Sequence, residues 1–268
     1  MNSYLSRGDF WFQKLTQTGQ PLKGLCPSVK AADIADPQFG IVRYITVVPD
    51  KNNHFPRAAH GEVGLLEGWT LAKVITDAIV QDQNRSTKRP IVAIIDVTSQ
   101  AYGRREEAFG IHQALAAAAD SYAKARLAGH PIIGLIVGKA MSGAFLAHGY
   151  QANRLIALNS PEVMIHAMGK AAAARITLRS VDELEKLAEK IPPMAYDIKG
   201  YETLGLLWRL LNLENDQKPT ENDLSTVKSI IEQAIIDTKN QGIYLEGRLG
   251  AENRKSSSKV RELMRQQW

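Results

Sequence analysis

Gly138-Lys-Ala-Met-Ser-Gly-Ala-Phe-Leu-Ala-His-Gly149 is the stretch on which the reading of this chain turns. The apolar, β-branched run from Ile132 to Val137 just before it has the composition of a short buried strand. Small residues then allow a tight turn, and Gly143-Ala144 open a helix. The first N–H groups of a helix have no intrahelical partner, and the helix dipole favours negative charge beside them. A glycine there lets a ligand come close to the backbone. Two readings follow. Either the amides of Gly143 and Ala144 form an oxyanion hole, with Met141 and Ser142 lining the substrate side, or the small residues only let a helix pack on a strand.

Moving toward the N-terminus, Ile95-Asp-Val-Thr-Ser-Gln-Ala-Tyr-Gly-Arg-Arg-Glu-Glu107 repeats the order strand, loop, helix. Gly103 stands just before the helix, and Tyr102 and Gly103 are candidates for a second set of amides. Glu106 and Glu107 fall in the first helical turn, where the dipole accounts for carboxylates without an acid–base role. Two such loops after neighbouring strands would place both sets of amides on one side of a sheet, where α/β folds bind ligands.

The rest of the chain supports that layout. Phe39 to Val48 reads as a strand ended by Pro49, Leu65 to Asp82 as a helix, and Pro90 to Val97 as a short buried strand. Glu106 to Leu127 is alanine-rich and reads as one helix closing at Gly129, with Pro131 beyond. Arg154 to Leu158 starts another strand. The alternation predicts an α/β fold with a largely parallel sheet. After about residue 180 the pattern is helical: 181–190, 201–213, 222–240 and 245–267. The first 36 residues hold an amphipathic stretch (Phe10, Trp11, Leu15) and then loop through Asp36-Pro37. They read as an N-terminal arm, with residues 37–268 as the main domain and the helical tail from about 181 included in it.

Composition narrows the function classes. A chain of 268 residues with 44% hydrophobic and 23% charged residues is ordinary for a globular protein with a full core. The single cysteine, Cys26, excludes an internal disulfide and a cysteine-rich zinc site. The N-terminal residues lack a signal-peptide pattern, and no apolar run reaches the roughly 18 residues of a membrane span, so a cytoplasmic location is expected. The net charge of +5 comes from dispersed Lys and Arg mixed with acids, without a nucleic-acid motif. Its densest cluster (Arg254, Lys255, Lys259, Arg261, Arg265) reads as a solvated helix face. Moderate positive charge suits an acidic partner such as an acyl carrier protein, or a phosphate-bearing pantetheine group. The six histidines (His54, His60, His112, His130, His148, His166) show no metal-ligand spacing.

Ser142, His166 and Asp96 could be drawn as a catalytic triad, and the segment resembles the Clp peptidases in its Gly-Ala-Phe-Leu and Met-Ile-His patterns. Aligned on Gly143-Ala144-Phe145-Leu146 and His166, however, the nucleophile position of that family falls on Met141. The missing nucleophile argues against hydrolysis.

Taken in order, His60-Gly-Glu-Val-Gly-Leu-Leu-Glu-Gly-Trp-Thr-Leu-Ala-Lys-Val-Ile75, the Asp96 to Arg105 loop, the Gly138 to Gly149 turn and Ile191-Pro-Pro-Met-Ala-Tyr-Asp197 resemble one family. It is the gamma subunit of the biotin-independent malonate decarboxylases, in the carboxyltransferase branch of the crotonase superfamily. The resemblance covers nearly the whole chain. It implies a crotonase-like spiral ββα core with a helical C-terminal region, and pairing with a homologous beta subunit. It also implies a larger complex with an acyl-transferase subunit and an acyl carrier protein bearing a CoA-like prosthetic group. This chain itself is expected to bind no cofactor. The implied reaction converts malonyl-S-(acyl carrier protein) to acetyl-S-(acyl carrier protein) and CO2. Two departures from the wider carboxyltransferase pattern are Ser142-Gly143 in place of two glycines and Ser99-Gln-Ala-Tyr-Gly103 in place of a Gly-Phe-x-x-Gly loop. A carboxyltransferase that moves the carboxyl group to biotin therefore stays as an alternative.

Overall fold

The computed structural model describes residues 5–268. The first four residues of the expected N-terminal arm lie outside the described residues. At the centre, the apolar runs read from sequence form adjacent strands: β3 (Gly40–Val47), β4 (Ile91–Val97), β5 (Ile132–Met141) and β6 (Arg154–Leu158). They pair in parallel, with Arg43 opposite Ile91, Ile91 opposite Ile132 and Ile133 opposite Arg154. Ile91 through Ile95 are fully buried, as expected of parallel strands covered on both faces.

Four segments depart from the sequence reading. The stretch before Pro37, expected as loop, contains β1 (Gln20–Pro21) and β2 (Val29–Asp36). β2 runs antiparallel to β3 over eight pairs, from Val29 opposite Val47 to Asp36 opposite Gly40. Its Lys, Ala and Asp residues hide the strand signal, because half of its face is not apolar. The helix ahead of it, α1 (Arg7–Thr16), packs on β3 and β4 with Trp11 fully buried.

The alanine-rich helix is two helices, α3 (Arg104–Ala108) and α4 (Ile111–Leu127), after α2 (Leu65–Gln81). Gly110 between them has φ +81° and breaks the helical path. α2 and α4 pack face to face, and Gly68 makes this possible, since a Cβ there would lie 2.7 Å from the Ala114 carbonyl.

Strands also continue past the point where they were expected to stop. After α5 (Ser142–Ala147) come β7 (Met164–His166), α6 (Lys170–Thr177), α7 (Val181–Ala188) and α8 (Ile198–Glu202). The segment expected as a helix over 201–213 instead turns at Gly205, φ +70°, and forms β8 (Arg209–Leu211) parallel to β6. Among the described residues the sheet has eight strands in the order β1-β2-β3-β4-β5-β6-β8, with β7 on β5.

The tail holds α9 (Glu221–Gln241) and α10 (Lys255–Gln267). The link between them, expected to be helical from Leu245, is two short 3-10 turns. α9 buries Leu224, Val227, Ile231 and Ile235 against the core, whereas α10 buries none of its residues.

Candidate functional site

β5 runs on through Gly138 to Met141, and the chain turns at the next residue. Met141 is extended (φ −110°, ψ 137°) and its side chain is buried. Ser142 adopts φ +54°, a left-handed conformation that L-residues rarely take. Its hydroxyl donates to the carbonyl of Ala167. The next amide, Gly143 N–H, points away from the helix and donates to Oε1 of Gln100 at 3.0 Å. Ala144 is fully buried at the start of α5.

Gln100 comes from the loop after β4, and that loop is zipped onto the His60-Gly-Glu-Val-Gly segment. Val63 N–H donates to Ser99 O at 3.0 Å, and Ala101 N–H donates to Val63 O at 2.9 Å. The two loops singled out in the sequence are therefore joined, and the residue that joins them is one the sequence reading passed over. A Gln among Ser, Thr and Tyr in a loop carries no spacing signal, so only the fold reveals it.

Tyr102 stands exposed, and its hydroxyl donates to Glu107 Oε1 at 2.5 Å. That bond, together with the negative charge of Glu107, raises the Tyr102 pKa. Gly103 precedes α3 with an extended backbone, and a Cβ there would run into the Glu106 carboxylate and the Arg57 guanidinium. Glu106 is buried and Glu107 exposed, so the two neighbouring carboxylates have different surroundings.

The triad drawn from the sequence is not assembled. Ser142 is bonded to Ala167 O rather than to His166. The His166 ring stacks on Tyr196 at 3.8 Å and 12°, and its Nδ1 lies 3.2 Å from the Met168 N–H. Burial lowers the His166 pKa. Asp96 accepts from the backbone N–H of Gly8 at 3.0 Å and of Lys139 at 3.1 Å. The Pro-Pro-Met-Ala-Tyr-Asp segment has its place here too. Asp197 bridges Met164 at the start of β7 and caps α8 by accepting from Gly200 N–H at 2.8 Å. A cavity of about 460 Å³ opens next to it, lined by Asn159, Ser160, Met164, Lys170, Tyr196 and Asp197 among others.

Residues 58–268 match the family model described as malonate decarboxylase gamma subunit. The chain belongs to that family. It is 60% identical to a chain of the Pseudomonas malonate decarboxylase hetero-tetramer solved in complex with coenzyme A, with TM-score 0.93 over 98% of this chain and 100% of that one. It is 38% identical over 162 residues to the malonyl-S-ACP:biotin-protein carboxyltransferase of Malonomonas rubra, a match spanning 57% of this chain and 56% of that relative's length. The transcarboxylase 12S shares the fold at 18% identity, with TM-score 0.62 over 84% of this chain and 39% of that one. The family accounts for the crotonase-like α/β core. Within that gamma-subunit fold, the Ser142 turn and the Gln100 loop meet at the C-terminal ends of β5 and β4. No helix among the described residues is long and apolar enough to cross a membrane.

Proposed function

We propose that this chain is the gamma subunit of a carboxy-lyase and acts with a homologous beta subunit. The reaction is decarboxylation of malonyl-S-(acyl carrier protein) to acetyl-S-(acyl carrier protein) and CO2. The observation that carries the reading is the Gly143 amide, which leaves the strained Ser142 turn and is already matched to an oxygen acceptor at 3.0 Å. Loss of CO2 from a malonyl thioester leaves an enolate, and the barrier depends on how well the negative oxygen is held. Aligned amide donors contribute about 3–4 kcal/mol each to holding such an oxygen. No side-chain base is needed to begin, which suits a turn without an assembled triad.

In this reading the Gly143 amide, with the buried Ala144 amide behind it, forms one hole. The Gly103 amide contributes to the second, since the Tyr102 N–H is committed to the Gln100 carbonyl. Ser142 faces the substrate, and Met141, its side chain buried, does so only through its backbone. The same reading expects no cofactor bound by this chain. A CoA-like prosthetic group on the acyl carrier protein brings the thioester, as the coenzyme A complex of the Pseudomonas relative and the malonyl-S-ACP in the name of the Malonomonas relative support. An acyl-transferase subunit loads the carrier, and the assembly works in the cytoplasm.

The test follows CO2 release from a malonyl thioester by this chain, by the beta subunit, and by the two together. Activity is expected only in the mixture, and Gly143→Val is expected to lower it by about 10²-fold or more, the cost of losing one such donor. Full activity of the assembled Gly143→Val pair would sink the proposal. The name of the Malonomonas relative favours a second reading, carboxyl transfer to biotin. In that case CO2 release would be absent without a biotinyl acceptor, and carboxybiotin would form when one is added.

A further inference from the structure

Gln100 has a backbone fixed on both sides and a side chain with a single partner among the described residues. Its residue bridges Val63 across the two loops, and its carbonyl accepts from Tyr102 N–H at 2.9 Å and from the Ser99 hydroxyl at 3.1 Å. Only the carboxamide is left to move, and it reaches over to the Gly143 N–H. The turn it reaches needs holding. Ser142 at φ +54° is disfavoured for an L-residue, and relaxation of that turn would swing the following peptide, and with it the Gly143 amide, to a new direction. Two bonds restrain it: Ser142 Oγ to Ala167 O on one side and Gly143 N–H to Gln100 on the other.

We propose that Gln100 is a positioning residue for the reaction proposed above, a place-holder for the substrate oxygen. In the chain without substrate its carbonyl oxygen keeps the Gly143 amide aimed and the Ser142 turn in its left-handed state. The enolate oxygen then takes over the donor. A charged acceptor bonds an amide about twice as strongly as a neutral one, so the exchange favours the reacting state. The inference rests on the proposed decarboxylation only for its effect on turnover. The holding of the turn is a property of the chain alone.

Gln100→Met keeps the length of the side chain and removes the carbonyl. Two readouts decide the matter. In the isolated chain, hydrogen exchange of the Gly143 amide is expected to speed up about fivefold, the equivalent of one ordinary hydrogen bond. In the assembled pair, kcat is expected to fall about fivefold while KM stays within twofold. In a Ser142→Gly background the same Gln100→Met change is expected to have no further effect on kcat, because glycine holds φ +54° without help. Unchanged Gly143 exchange would overturn the proposal. So would a kcat loss that persists in the Ser142→Gly background, which would make Gln100 a direct substrate contact, or faster turnover, which would make it a mere competitor. If the wild-type pair releases no CO2, the decarboxylase reading fails, and Gly143 exchange still decides whether Gln100 holds the turn.

Discussion

Gly138 and Asp96 share one space: a Cβ at 138 would overlap Oδ1 of the Asp96 carboxylate. The pairing of β4 with β5 shifts register between Ile95 and Val97, so Asp96 sits at the irregularity and turns its carboxylate onto the neighbouring strand. There it accepts from the N–H of Gly8 and of Lys139, tying α1 and β5 to the end of β4. Gly138→Ala is therefore expected to lower unfolding stability by about 1–3 kcal/mol, the usual cost of overpacking. Urea unfolding of the two proteins measures it. A difference below about 0.5 kcal/mol, the level of an ordinary surface change, would mean that Asp96 has room to move.

Glu67 is fully buried and works as a local anchor for the loops rather than as a catalytic acid. Its carboxylate accepts from Asn53 Nδ2 at 2.7 Å, from Gly64 N–H at 2.9 Å and from the Ser28 hydroxyl. It thereby joins the start of α2 to the start of β2 and to the 50s loop. Glu67→Ala takes the acceptor from three donors, leaving Gly64 N–H without one and Asn53 and Ser28 with only long contacts of 3.4 Å. It is expected to cost about 3 kcal/mol, since each orphaned donor costs about 1–3 kcal/mol. Thermal unfolding would show it. A shift smaller than that of a typical surface mutation would contradict the anchor role.

Asp82 gives a stability step in acid. Burial alone would push its carboxyl up, but the side-chain and backbone N–H groups of Arg89 and the Arg89 charge outweigh this and bring it down to about 2. The folded pKa lies below the unfolded value, so the contribution is complete above about pH 4 and is lost as pH falls toward 2. The amount at stake is about 2 kcal/mol. Asp82→Asn is expected to flatten the stability curve in that window, and an unchanged slope would remove Asp82 as its source.

A second step lies at milder pH. Burial pushes the His148 imidazole down to about 4, against a smaller opposing effect of its bond to the Ile94 carbonyl. The neutral ring also bonds the buried Tyr122 hydroxyl at 3.0 Å. Because unfolding lets the ring take a proton near pH 6.5, stability from this residue is present above that pH and declines as pH falls toward 4. The loss reaches about 3 kcal/mol. Unfolding of wild type and His148→Gln across pH 4–7 would reveal it as a steeper slope in the wild type.

The parallel core and the Gly138 to Gly149 turn were legible because each is written in local chemistry. Buried strands such as Ile91–Val97 are apolar runs, and a strand-to-helix turn needs small residues. β2 was not legible, because Lys30 and Asp33 satisfy partners that come from elsewhere in the fold and Asp36 serves the turn that follows. Asp33, for example, accepts from Arg43 at 2.7 and 2.8 Å. β8 was missed for a similar reason, since three residues carry too little pattern to announce a strand that only its pairing with β6 defines. At the site, Gly143 and Ala144 follow from the helix-start argument. Gln100 does not, because its meaning lies in a donor, the Gly143 N–H, placed 43 positions away along the chain.

Ser142 supplies the last test, against the peptidase likeness. A reactive serine needs its hydroxyl within reach of a base that takes the proton. Here the hydroxyl proton is spent on the Ala167 carbonyl, and His166 is occupied by its stack on Tyr196 and by the Met168 backbone. Asp96, the third member such a triad would need, is held by Gly8 and Lys139. The folded chain is therefore expected to give no labelling above background with a fluorophosphonate probe, and Ser142→Ala is expected to leave that background unchanged. Labelling that disappears in Ser142→Ala would show a base reaching the hydroxyl and would reopen the hydrolytic reading. Absence of labelling, with Gly143→Val abolishing CO2 release in the assembled pair, would assign the chemistry of the turn to its backbone.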